Sequence, residues 1–215
     1  MIRAFIAIEL PDKVRAALGE VQERMRRARL GVKVSWVKVG NIHLTLQFLG
    51  YVPEDKIPGI STALGQVCAA HEAFDVPVGG VGAFPNVNRA RVLWVGCGTT
   101  QVGAHCVRPI GDTGLQQGAR SAPLQELARA VQTAMQEFGF EPEHREFAAH
   151  LTLGRIKPAP TKSGFPRPDV TLTKLLDSLR DCPCGTLRVD AVHLFESQLN
   201  PQGSIYTKLS SHKLM

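Results

Sequence analysis

"NIHLTLQFLG" (residues 41–50) and "AAHLTLGRIK" (residues 148–157) share the tetrapeptide HLTL, beginning at His43 and again at His150. In a chain of this length some repeated tetrapeptide arises by chance about half the time. Requiring it to begin at one of seven histidines lowers the odds to on the order of one percent. Both stretches are apolar and β-prone, the first opened by the turn signal Gly40–Asn41, and both read as strands. Side chains two apart on a strand share a face. His43 and Thr45 therefore project together, as do His150 and Thr152, while Leu44, Leu46, Leu151 and Leu153 pack the opposite side.

Working outward, Ile2–Ile8 reads as a strand. Val14, Ala17, Leu18, Val21, Met25 and Ala28 fall at helical spacing from Pro11 to about Leu30. Strands are expected at Val32–Val37 and Ile42–Leu49, then a helix from near Pro53 to His71 with a break at Pro58–Gly59. "FDVPVGGVGAF" and "RARVLWVGC" read as strands joined by the turn "PNVN". Gly98 to Ala122 holds five glycines and no periodicity, and reads as a long loop. A helix from Ser121 to Phe138 follows, capped by Ser121 and ended by Gly139. After the second HLTL strand come a Pro-rich loop, a short helix near Leu172–Leu179, and closing strands "TLRVDAVHLFES" and "SIYTKLSS". The order strand, helix, HLTL strand thus occurs twice. The expected fold is α+β: two pseudo-symmetric lobes, each a mostly antiparallel sheet with helices on its outer face and an active-site cleft between them, within one domain spanning 1–215.

The 215 residues, 44% hydrophobic and 20% charged, have the balance of a globular protein. No apolar run approaches the ~18 residues that span a bilayer. "MIRAFIAIELPDK" is interrupted by Glu9, Pro11 and Asp12 and reads as a first strand, not a signal peptide, so no membrane and a cytoplasmic location are expected. The net charge of +6 and pI near 9.3 suit a polyanionic partner such as RNA. The densest basic run, "RMRRAR", ends a helix where cations complement the dipole, and reads as a solvated helix end. Five cysteines form no regular framework. Cys182 and Cys184 in "CPC" fall one residue short of the redox spacing and have no second pair for zinc, so they read as structural or incidental thiols.

Two imidazoles and two hydroxyls on one face suit phosphodiester hydrolysis. One histidine activates water, the other protonates the departing oxygen, and the hydroxyls hold the non-bridging oxygens. No metal or cofactor is required. A two-histidine metal site would need a further ligand that neither motif carries nearby.

These features resemble the 2H phosphoesterases, named for two H-x-T-x motifs, and within them the bacterial and archaeal RNA 2′,3′-cyclic phosphodiesterases formerly called 2′-5′ RNA ligases. Five blocks carry the likeness in order: "RAFIAIELP", "WVKVGNIHLTLQFLG", "FPNVNRARVLWVG", "EHREFAAHLTLGRIK" and "SQLNPQGSIYTKL". The resemblance implies His43 as proton donor, His150 as proton acceptor, and Thr45 and Thr152 as phosphate-binding residues. It also implies that Phe48 and Arg155 line the nucleotide site, where a ring stacks on a base and a guanidinium pairs with phosphate. Strand parity opposes both placements. Core packing is the alternative reading of Phe48, and Arg155 needs a bulge or bend at Gly154 to share the face of His150. Ala149 stands where the family usually has proline, and Gly98–Ala122 reads as an insertion. The expected activity is metal-independent opening of RNA 2′,3′-cyclic ends to a 2′-phosphomonoester; RNA end-joining or RNA binding without turnover are the alternatives.

Overall fold

Helix α1 (Asp12–Arg27) follows Pro11, whose missing N–H costs no helical bond at that position, and buries Val14, Leu18, Val21 and Met25 along one stripe. Arg24, Arg26 and Arg27 occupy its last turn. It stops short of Leu30, and the chain reverses through Gly31 at φ 64°. Helix α2 (Ile57–Ala69) is preceded by a 3-10 turn at Glu54–Lys56. Pro58 lies in its first turn, where proline is tolerated, so the expected break at Pro58–Gly59 does not occur. Gly59 instead permits close packing: a Cβ there would lie 2.8 Å from Cε1 of Phe138.

The computed structural model describes residues 1–28, 30–98, 122–142, 146–158, 170–201 and 203–215. Helix α3 (Ala122–Gln136) buries Leu124, Leu127, Ala128, Val131 and Met135. It ends at Gly139 as expected: that residue takes φ 85°, and its N–H and that of Phe140 bond back to Gln136 and Met135. The expected cap Ser121 and nearly all of Gly98–Ala122 lie outside the described residues. Helix α4 spans Val170–Ser178.

Nine strands occur among the described residues: β1 (Ile2–Ile8), β2 (Val34–Trp36), β3 (Leu44–Val52), β4 (Phe74–Phe84), β5 (Val92–Cys97), β6 (His150–Ile156), β7 (Pro183–Val189), β8 (Ala191–Gln198) and β9 (Ile205–Lys213). The turn expected at "PNVN" is a 3-10 turn in which the Asn86 side chain accepts from the Arg89 N–H at 3.0 Å. The stretch expected as one strand, "TLRVDAVHLFES", is two. The chain leaves β7 at Asp190, and β8 joins the other half of the sheet.

The sheet order is β7-β4-β5-β6-β3-β1-β8-β9, with β2 paired to β6 and every pairing antiparallel. The two HLTL strands, β3 and β6, are the central neighbours, and they touch through one residue pair, Leu44↔Leu151. One half of this curled sheet takes its strands from the two ends of the chain, β1 and β3 with β8 and β9; the other takes β4, β5, β6 and β7 from the stretch between them. Helix α1 packs on the β7 half, while α2 and α3 pack on the half holding β3, β8 and β9. The helices and inward-facing strand residues, including Ile6, Leu44, Leu46, Leu93, Leu151 and Leu194, form the main core. The opposite face is left open by the helices and carries a small separate cluster of Phe5, Ala7, Phe195 and Tyr206.

Candidate active site

The contact between Leu44 and Leu151 sets the local register. It brings His43 opposite Thr152 and Thr45 opposite His150, since antiparallel partners run in opposite order. Leu44 and Leu151 are fully buried, so the histidines and threonines beside them face the open side.

Both imidazoles are held in the same way. His43 Nδ1 lies 2.8 Å from the Asn41 carbonyl, and His150 Nδ1 lies 2.7 Å from that of Ala148. A carbonyl only accepts, so each Nδ1 carries a hydrogen and donates it. This leaves Nε2 of each ring as the nitrogen that titrates. The His43 ring stacks on Phe5 with centroids 4.7 Å apart and meets the Tyr206 ring edge-on at 5.3 Å. His150 meets Phe84 edge-on at 5.0 Å. Burial, and to a smaller extent the neighbouring His150, lower the pKa of His43 below its ordinary value, against the opposing bond to Asn41. The hydroxyls of Thr45 and Thr152 have no hydrogen-bond partner among the described residues, so both are available to a ligand.

Parity reasoning misplaced Phe48, and a bulge is the reason. In the β1–β3 ladder Ala7 pairs Thr45 but Ile6 pairs Gln47, so Leu46 is an extra residue. The shift moves Phe48 onto the face of His43 and Thr45, where it is 55% exposed and 6.1 Å from Phe5. The same device recurs on β6. Trp94 pairs Thr152 and Leu93 pairs Gly154, so Leu153 is extra and Arg155 joins the face of His150 and Thr152. Gly154 serves the approach of β2: a Cβ there would lie 2.7 Å from Cγ1 of Val34 and 3.2 Å from the Ser35 carbonyl.

Two helical glutamines hold these bulges, and neither was singled out in the sequence. Gln22 of α1, 1% exposed, donates to the Leu153 carbonyl at 2.8 Å and the Val37 carbonyl at 2.9 Å. Gln132 of α3 donates to the Leu46 carbonyl at 3.3 Å. Their signal was present: each is a polar residue inside an apolar stripe, Gln22 four after Leu18 and Gln132 four after Ala128. Gln22→Ala is expected to destabilise the fold by about 1–3 kcal/mol, because the part-buried Val37 carbonyl loses its side-chain bond and the buried Leu153 carbonyl loses one of its two. The melting temperature would drop by about 2–4 °C per kcal/mol; an unchanged melt would show that water replaces the amide.

The described thiols, Cys68, Cys97, Cys182 and Cys184, are free. Burial pushes Cys68 and Cys184 up to about 11 and raises buried Cys97 further, which suits the expected structural role. Cys106 lies outside the described residues. Among those residues no three His, Cys, Asp or Glu side chains group as metal ligands. No helix among them is long and apolar enough to cross a membrane.

The class of protein follows from comparison with known families: residues 8–94 and 117–206 match the LigT-like phosphoesterases, and the chain belongs to that family. The family read from the paired motifs is therefore correct. The unmatched interval overlaps the stretch expected as an insertion. Within the family, the chain is 30% identical to the RNA 2′,3′-cyclic phosphodiesterase of Methanothermobacter thermautotrophicus, over 99% of both chains. It is 35% identical to that of Aeropyrum pernix, over 85% of this chain and 87% of the other. A crystal structure from Thermus thermophilus superposes with a TM-score of 0.69 at 27% identity, covering 99% and 98% of the two chains. Escherichia coli LigT, solved with 3′-AMP, shares the fold at a TM-score of 0.65 and 23% identity, over 100% and 98%.

Proposed function

We propose that this protein hydrolyses RNA 2′,3′-cyclic phosphate ends by two-histidine acid–base catalysis. The substrate class rests on the names of its relatives. The mechanism rests on one observation: two imidazoles on adjacent strands, each with Nδ1 tied to the carbonyl two residues earlier. His150 Nε2 takes a proton from the attacking water. Protonated His43 gives its Nε2 hydrogen to the departing 3′-oxygen, leaving a 2′-phosphomonoester. Thr45 and Thr152 donate to the non-bridging oxygens as negative charge builds there. Phe48 offers a face for the terminal base, and Arg155 a fork for phosphate. The proton transfers need only these side chains, so the reaction is proposed to be metal-independent.

The test is incubation of pure protein with an oligoribonucleotide ending in a 2′,3′-cyclic phosphate, with and without EDTA. Equal rates in both, with a 2′-phosphate product, are expected. Loss of turnover on chelation, restored by a divalent cation, would replace this mechanism with a metal-assisted one.

A further inference from the structure

The bulge that turns Arg155 to the open face carries Lys157 with it, since the two are two residues apart. Opposite them, β2 pairs Ser35 with Arg155 and Val34 with Ile156. The same register sets Lys33 across from Lys157, whose N–H bonds the Lys33 carbonyl at 2.8 Å. Lys33, Ser35, Arg155 and Lys157 are all exposed, and they share one face, adjoining Thr152.

Three cations at this edge have no ion-pair partner among the described residues. Two of them, Lys33 and Lys157, stand directly opposite each other, an arrangement that opposes folding. Two cations elsewhere on the sheet are matched: Lys208 lies 2.7 Å from Glu9 and Arg188 3.5 Å from Asp75. An unmatched cluster beside the site is suited to a ligand that brings its own negative charge. Arg155 and Lys157 are about 6.8 Å apart along the strand, comparable to successive phosphates of an extended nucleotide chain.

We infer that Lys33, Ser35, Arg155 and Lys157 form a track for the phosphates of the RNA strand leading to the reacting end. The inference rests on the proposed function and adds a substrate preference: an oligoribonucleotide over a mononucleotide, through contacts that make no use of base identity.

The experiment compares wild type with the double variant Lys33→Gln/Lys157→Gln. Turnover of a mononucleoside 2′,3′-cyclic phosphate should be unchanged, while kcat/KM for a cyclic-phosphate oligoribonucleotide falls. Fluorescence anisotropy with a labelled oligoribonucleotide ending in a 3′-phosphate measures binding alone. Removing two phosphate contacts should flatten the slope of log affinity against log salt by about 1.4. Between 50 and 200 mM salt the wild type would then lose about sevenfold more affinity than the double variant. Lys157→Glu, which places an acid opposite Lys33, should bind still more weakly yet melt no lower than wild type. Equal salt slopes, or a parallel fall in mononucleotide turnover, would overturn the track. If the wild type turns over neither substrate, the proposed function fails, and the salt slopes alone decide the track.

Discussion

His43→Ala and His150→Ala are each expected to lower kcat/KM on a cyclic phosphate by about 10²–10⁴, with melting close to wild type. Each ring bonds the backbone carbonyl two residues before it and lies on the face away from the main core, so its loss removes the proposed proton-transfer group and, for His43, the ring contacts with Phe5 and Tyr206, leaving the main core intact. Near-full activity in either variant would end the two-histidine assignment. The pH profile gives a second reading. In the proposed mechanism His43 is protonated to donate, and burial followed by His150 lowers its pKa. The rate of the free enzyme should therefore fall as pH rises through that lowered value, placing the alkaline limb below the ordinary ~6.5. Removing His150 takes away one of the lowering causes, so an NMR titration of His43 in His150→Ala should move upward. Stability runs the opposite way with pH. The folded His43 binds protons less readily than the unfolded one, so its contribution is present above the ordinary value and is lost as pH falls through the folded value.

Thr45→Val and Thr152→Val should each reduce kcat by about 10²–10³, with KM much less affected. Valine keeps the branched shape at these half-buried positions and removes only the hydroxyl. The loss is expected in kcat because charge on the non-bridging oxygens grows toward the transition state. Single-turnover rates isolate that step. Wild-type rates in the double valine variant would leave phosphate binding to other groups.

The facing of His43 with Thr45 and of His150 with Thr152 was legible because it depends only on the two-residue period of a strand. Phe48 and Arg155 were not legible by the same rule, because Leu46 and Leu153 each add a residue that resets the period. Those additions are stabilised from helices distant in sequence, by Gln132 and Gln22. No local pattern announces such a partner, although a polar residue within an apolar stripe is a reason to look for one. Helix boundaries failed where proline sits in a first turn, at Pro58. The division of β7 from β8 turned on a single polar residue, Asp190, in an otherwise strand-like run. The sheet order pairs β1 with β8 and β4 with β7, contacts that only the whole tertiary packing decides.

That interleaving bears on how the molecule is made. While the ribosome has delivered only the first half of the chain, β1 has β3 on one side and a bare edge on the other, since β8 is not yet synthesised. The strand that will carry His150 is also absent, so no partial chain of that length holds both imidazoles. Pairing of β1 with β8 closes a loop of nearly the full chain length, the kind of contact that slows folding. Until it forms, the apolar edge of β1 is open to association with other chains. Nascent chains should therefore depend on protection of that edge late in synthesis, and RNA turnover should begin only when the last strands have joined the first.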